Sequence, residues 1–207
     1  RCRAVGAALV VDGTQSVGAM PFDVRAIDPD FLICAGYKWL LGPYGLGVMY
    51  VAPRRQAGPP IERNWITRAG AEDFAGLVRY TDELQPGAVR FDVGERSSFL
   101  LAPMLAAGME ALGEWGISEV AATLRARTDE IASRASALGV RVAPRALRAP
   151  HMLGLRLPGG VPDGLPARLR AAGVHVSVRG DAIRVSPHLY TTDADVDRLL
   201  SVLSTAA

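Results

Sequence analysis

Cysteine, histidine and aromatic residues are all scarce in this sequence. Its two cysteines, Cys2 and Cys34, cannot form a disulfide scaffold. With only three histidines beside them there is no ligand spacing of the kind that holds zinc, so no metal site is expected. An excess of one charge is missing too: 23 Lys plus Arg stand against 21 Asp plus Glu, a formal charge of +2. The arginines are scattered rather than gathered in a stripe, which argues against a nucleic-acid partner. No apolar run approaches the roughly 18–20 residues of a membrane span. The opening Arg1-Cys2-Arg3 has none of the features of a secretory leader, so the expected location is cytoplasmic. An initiating Met is also lacking, and a strand-like run follows almost at once. The chain therefore reads as the later part of something longer.

What is present describes a globular protein, 49% hydrophobic and 21% charged, with enough apolar residues for a real core. Ala7–Val11 and Phe31–Ala35 are short, continuously apolar and closed by turn residues, which suits strands buried on both faces of a parallel sheet. The stretch between them is long enough for a parallel crossover of about a dozen residues, with a short helix at Val24–Ile27. Gly47–Val51 follows a glycine-rich loop too short for a helical crossover, so it is expected to run antiparallel to its predecessor. Ile61–Phe91 has no periodicity; Trp65 and Tyr80 are expected to anchor it against the core.

Ser97 or Ser98 can cap a helix over Phe99–Trp115, where Leu100, Met104, Leu105, Met109 and Leu112 recur at helical spacing. Gly116 breaks the pattern, and a longer helix over Ile117–Leu138 stops at Gly139. A small α/β unit follows: strands at Met152–Leu157, Val174–Val178 and Ala182–Val185, a helix at Pro166–Ala172, and a terminal helix at Asp193–Leu203. The expected division is a sheet-based portion over residues 1–115 and a smaller domain over 116–207.

Four positions can carry chemistry. Lys38 follows a buried strand and precedes Leu41-Gly42-Pro43-Tyr44-Gly45, at the carboxyl edge where open α/β sheets bind ligands. A partly desolvated lysine there is an amine nucleophile for aldehydes; taken alone, the residue also suits a solvated strand end. Asp12 closes the preceding strand, where a carboxylate can hold a proton on a ring nitrogen or simply form a turn. Gln15 can donate to a phenolic oxygen or belong to a cap. Arg184 alternates with Ile183 and Val185 on a strand, so it faces away from the core. There its guanidinium can bind a substrate carboxylate or face solvent. His188 beside Pro187 suits a turn, and Cys34 a reduced core position.

Val10-Val11-Asp12-Gly13-Thr14-Gln15-Ser16-Val17-Gly18-Ala19, together with Gly36-Tyr37-Lys38-Trp39-Leu40-Leu41-Gly42-Pro43-Tyr44-Gly45, resembles the cofactor segment of class V aminotransferase-fold enzymes. These are pyridoxal-phosphate proteins of fold type I, among them cysteine desulfurases, kynureninases and isopenicillin-N-epimerase-like proteins. Arg184-Val185-Ser186-Pro187-His188-Leu189-Tyr190-Thr191-Thr192 resembles the same family's C-terminal motif.

The resemblance implies an α/β fold: a partial mixed-sheet large domain and a small C-terminal α/β domain. It implies pyridoxal 5'-phosphate as cofactor, an amino acid as substrate and a homodimer. Lys38 would form the Schiff base and shuttle the Cα proton, Asp12 would pair with the pyridinium nitrogen, and Gln15 would contact the phenolic oxygen. Tyr37 would stand at the phosphate-binding position and Arg184 would hold the substrate carboxylate.

Some positions depart from the pattern. Ala35 stands where many relatives have Ser. Glu95 stands where a phosphate-reaching Thr is common, leaving Arg96, Ser97 or Ser98 to substitute. Val178-Arg179-Gly180-Asp181-Ala182 lacks the catalytic Cys of desulfurases, which argues against desulfuration. The family's N-terminal strands, phosphate-cradling turn and ring-stacking aromatic residue have no counterpart in this sequence. The alternative to an active enzyme is therefore a truncated, non-catalytic domain of one.

Overall fold

The computed structural model describes residues 1–205. They form two compact units, Arg1–Glu114 and a second from Trp115 onward.

The first unit is built on a three-stranded sheet in the order β1 (Val10–Asp12), β2 (Phe31–Ala35), β3 (Gly47–Val51). β1 and β2 are parallel, with Asp12 level with Ile33, and β3 returns antiparallel beside β2. The crossover contains a single short helix, α1 (Val24–Ile27), whose first turn is capped by the Asp23 carboxylate accepting from the Arg25 N–H at 2.8 Å. β1 is shorter than the apolar run that predicts it. Leu9 lies before it, with its N–H donating to the Asp30 carboxylate at 2.8 Å. That carboxylate is 1% exposed and also accepts from Arg54 Nε at 3.0 Å and Arg55 Nε at 2.7 Å. One buried anion thus ties the entrances of β1 and β2 to the turn after β3, and these partners hold its carboxyl far below the usual carboxylate range.

The sheet is buried on one face only, which corrects the expectation from its apolar runs. Leu32 and Cys34 are buried, whereas Val10 is 58% and Ile33 39% exposed. Alternation along a strand sends neighbours to opposite faces, and the described residues cover one of them. Helix α2 (Leu101–Trp115) begins at the Ser98 hydroxyl, which accepts from the Leu101 N–H at 3.2 Å. Only Leu105 and Leu112 of its apolar series are buried; Leu100, Met104 and Met109 are exposed.

The segment between β3 and α2 is held by hydrogen bonds and by one buried ring, not by Trp65 or Tyr80. Trp65 is 43% and Tyr80 97% exposed, so neither is the core anchor that its residue type suggests. Phe91 takes that place, buried and edge-on to Phe31 at 6.0 Å.

The second unit packs α3 (Ile117–Ala137), α4 (Leu165–Ala171) and α5 (Asp193–Ser204) around an antiparallel sheet. Its strands are β4 (Arg141–Val142), β5 (Leu153–Arg156), β6 (Ser177–Arg179) and β7 (Ala182–Val185), in the order β4-β5-β7-β6. Its core joins Ile131 of α3, Leu155 of β5, Leu169 of α4, Ile183 of β7 and Leu203 of α5. β6 starts later than Val174 because that residue still closes α4, its N–H donating to the Leu169 carbonyl at 2.8 Å. The Thr192 hydroxyl and the Asp195 carboxylate form a reciprocal capping box at the head of α5.

Candidate active site

Because β1 and β2 are parallel, their carboxyl ends lie on the same edge of the sheet. Asp12 ends β1, and β2 runs through Ala35 into Gly36-Tyr37-Lys38, so the carboxylate and the amine both belong to that edge. The Thr14 N–H donates to Asp12 Oδ1 at 2.9 Å. Hydrogen bonding from Thr14 is the chief reason that the Asp12 carboxyl lies below its ordinary value. Desolvation opposes it, and the Lys38 ammonium adds a smaller electrostatic pull in the same direction as Thr14. Asp12 is therefore a fixed anion within reach of the field of Lys38.

Lys38 itself is exposed rather than partly desolvated. Its ammonium lies 5.7 Å from the centroid of the Tyr37 ring and makes no hydrogen bond or ion pair among the described residues. Tyr37 is also exposed and stacks on Tyr44 at 4.2 Å, with 16° between the ring planes. Gln15 is half-buried, and its Oε1 accepts from the Trp39 indole N–H at 3.2 Å. With its carbonyl oxygen engaged there, the amide's N–H groups are directed elsewhere.

Four features that residue-type reasoning passed over position this edge. The Thr14 hydroxyl accepts from the Ala35 N–H at 3.0 Å and so joins the Asp12 turn to the strand that leads to Lys38. Trp39 reaches back to Gln15, as described. Gly18, at φ +90°, lies so close to the Trp39 carbonyl that a Cβ would sit 2.1 Å from that oxygen. Gly108 of α2 allows a second, less extreme close approach, its virtual Cβ 2.8 Å from the carbonyl oxygens of Leu40 and Leu41, while Leu105 packs against Gly36 and Gly42. The only sign of this in the sequence is glycine in an apolar context.

Arg184 lies in the second unit, on β7 between Gly154 of β5 and Ser177 of β6. Ile183 and Val185 enter the core and Arg184 faces the other way, with no hydrogen bond or ion pair among the described residues. His188 stacks on Tyr190 at 5.2 Å, and burial lowers its pKa, which makes it a structural ring rather than a surface base. Of the three candidates to replace the family's phosphate-reaching Thr, Arg96 is paired with Asp92 and Ser98 caps α2. Glu95 beside them holds a left-handed φ of +56°.

Comparison with known proteins supplies the family. The family model described as aminotransferase class V matches residues 1–199. Isopenicillin N epimerase of Streptomyces clavuligerus is 30% identical over 97% of this chain and 53% of its own length. An apo cysteine desulfurase from Thermococcus onnurineus NA1 superimposes with a TM-score of 0.80 at 23% identity, over 99% of this chain and 53% of that one. A C-DES variant with glycine covalently linked to its pyridoxal-phosphate cofactor gives 0.81 at 21% identity, over 96% of this chain and 51% of its own. The chain spans about half the length of the curated relatives it matches. It belongs to the aminotransferase class V family of pyridoxal-phosphate-dependent enzymes and has that family's α/β fold.

Proposed function

We propose that this class V chain carries the catalytic lysine of a pyridoxal-phosphate enzyme acting on an amino acid. The observation that carries the reading is the shared edge of β1 and β2, where an ionised Asp12 lies in the field of an otherwise uncommitted Lys38 amine. These residues suit the cofactor chemically. A carboxylate held in its charged form by Thr14 matches a protonated ring nitrogen, and a Gln15 amide whose oxygen is engaged by Trp39 has its N–H groups left to donate. Lys38 has an amine free to bond with an aldehyde. When bound, pyridoxal 5'-phosphate supplies that aldehyde and a ring that draws electrons from the substrate Cα.

Each residue then has a defined task. The Asp12 carboxylate holds the proton on the ring nitrogen. The Gln15 amide would donate to the phenolic oxygen, and Tyr37 would help to hold the phosphate. The Lys38 Nζ takes the proton from the substrate Cα and delivers it again. Arg184 would offer its two parallel N–H bonds to the substrate carboxylate. Transamination, elimination and epimerisation share this first proton transfer. Desulfuration through a persulfide on this chain is disfavoured: Gly180-Asp181 closes a tight hairpin between β6 and β7, and of the two cysteines Cys34 is buried. Residues 1–115 would be the C-terminal part of the cofactor-binding domain and 116–207 the small domain.

The reading includes a cytoplasmic homodimer. Exposed apolar residues at the head of α2, Phe99 and Leu100, offer surface for a second subunit. No helix among the described residues is long and apolar enough to cross a membrane.

A second reading, a domain that keeps the residues without holding the cofactor by itself, is favoured by the exposure of Asp12, Tyr37 and Lys38. Incubation of the chain with pyridoxal phosphate, borohydride reduction and peptide mass spectrometry separates the two. A covalent adduct at Lys38, absent from Lys38→Ala, supports the enzyme. Equal labelling of wild type and variant, with no cofactor retained in dialysis, leaves the second reading.

A further inference from the structure

The segment between β3 and α2 has only short 3-10 turns for regular structure, yet it is firmly pinned. Arg68 and Leu84 form an antiparallel bridge, and backbone bonds of 3.0 Å (Ala69 N–H to Glu83 carbonyl) and 2.9 Å (Gln85 N–H to Thr67 carbonyl) flank it. The buried Gln85 amide donates to the Ile66 carbonyl at 2.9 Å, and the Asn64 side-chain Oδ1 accepts from the Thr67 N–H at 3.1 Å. The residues between these ties form a surface loop with closed ends, a type of loop that frequently carries function.

This pinned frame borders an open cavity of about 580 Å³, within the range of roughly 300–1,000 Å³ of small-molecule sites. Trp65, Leu77 and Tyr80 give it apolar and aromatic walls, and Arg63, Arg68 and Arg79 line it against a single lining carboxylate, Asp82. The three guanidinium groups are committed to different degrees. Arg68 donates to the Asp82 carbonyl at 2.9 Å and to its carboxylate at 3.3 Å, which holds the Arg68 side chain against the loop. Arg79 reaches Asp73 at 3.3 Å across a well-exposed pair, a weak tie. Arg63 has no hydrogen bond or ion pair among the described residues. Nothing in the chemistry at Lys38 uses any of these side chains.

We propose that this cavity binds a small anion with a planar aromatic body. Its carboxylate or phosphate is taken by Arg63 and Arg79, because a guanidinium presents two parallel donors to either oxyanion. Its ring lies against Trp65 and Tyr80, whose exposed faces are then covered. An anion without a ring, or a ring without an anion, satisfies only half of the site.

The test uses the full chain and four probes: phenyl phosphate, benzoate, inorganic phosphate and benzyl alcohol, titrated calorimetrically and by tryptophan fluorescence. The expected result is saturable one-to-one binding of phenyl phosphate or benzoate, at least tenfold tighter than either half-probe. The tighter of the two identifies the headgroup. Arg63→Gln weakens that binding about tenfold or more without lowering the melting temperature, since the Arg63 side chain holds nothing in place. Trp65→Phe removes the fluorescence change, and Lys38→Ala leaves affinity unaltered. No saturable binding of either aromatic anion overturns the proposal, as does binding that survives combined Arg63→Gln and Arg79→Gln. Loss of binding in Lys38→Ala also overturns it, by moving the probe to the sheet edge. A dimer in sedimentation that Arg63→Gln dissociates makes this surface a subunit contact and likewise overturns it.

Discussion

Gly18→Ala is the sharpest perturbation of the edge that holds Lys38. Gly18 has φ +90°, and a Cβ there would lie 2.1 Å from the Trp39 carbonyl oxygen and 2.7 Å from its carbon. Both atoms are backbone, so relief requires the segment next to Lys38 to retreat by about 1 Å, because a Cβ rarely tolerates contacts under 3.0 Å. The left-handed conformation costs a side-chain-bearing residue about 1–2 kcal/mol, and forcing extra volume into a packed site typically adds about 1–3 kcal/mol. Gly18→Ala should therefore destabilise the first unit by about 2–5 kcal/mol.

Gly6 is the matched control: it has φ +71° with nothing within 4 Å of its virtual Cβ. Gly6→Ala carries only the conformational cost, about 1–2 kcal/mol. Urea unfolding should be followed by tryptophan fluorescence in a Trp115→Phe background, so that Trp39 and Trp65 report on the first unit alone. Equal losses in the two variants would refute the argument that the Trp39 carbonyl packs against Gly18 and sets the path of the lysine loop.

Three further outcomes are expected. Asp30 has a folded-state pKa far below its usual 3.8, so its stabilisation is complete above that value and is lost as pH falls below about 4; melting temperatures measured from pH 6 to 3 should fall in wild type and flatten in Asp30→Asn. Thr192→Ala removes the capping box of α5 and should cost about 1 kcal/mol in urea unfolding of the second unit, with an unchanged midpoint counting against the cap. Trp39→Phe deletes the donor to Gln15 Oε1 and should shift the visible band of the cofactor-treated protein while leaving far-UV circular dichroism intact; a band unmoved in wavelength and pH dependence shows that the Gln15 amide needs no indole to orient it.

Local patterns made much of the fold legible in the sequence. The apolar runs, the short crossover helix, the antiparallel return of Gly47–Val51 and the glycine stops at Gly139 and Gly173 are each written within a few neighbouring residues, and the structure follows them. Asp12 and Lys38 stand out for the same reason, as polar residues following apolar strands, with Gln15 in the turn after the first. Residue type misled where burial depends on what lies across from a side chain. Trp65 and Tyr80 have the composition of core anchors but line an open cavity, and Met104 and Met109 keep helical spacing on an exposed face. The ties that give the edge its shape, Thr14 to Ala35, Trp39 to Gln15 and Gly108 to Leu41, join residues far apart in the chain.

Which elements form, and which chemistry-bearing residues follow them, can be read along the chain, because helix and strand periods and turn preferences act over a few residues. Which faces are covered, which anion is buried and which glycines must remain glycine emerge with folding. Those depend on distances between segments that the chain brings together only when it folds.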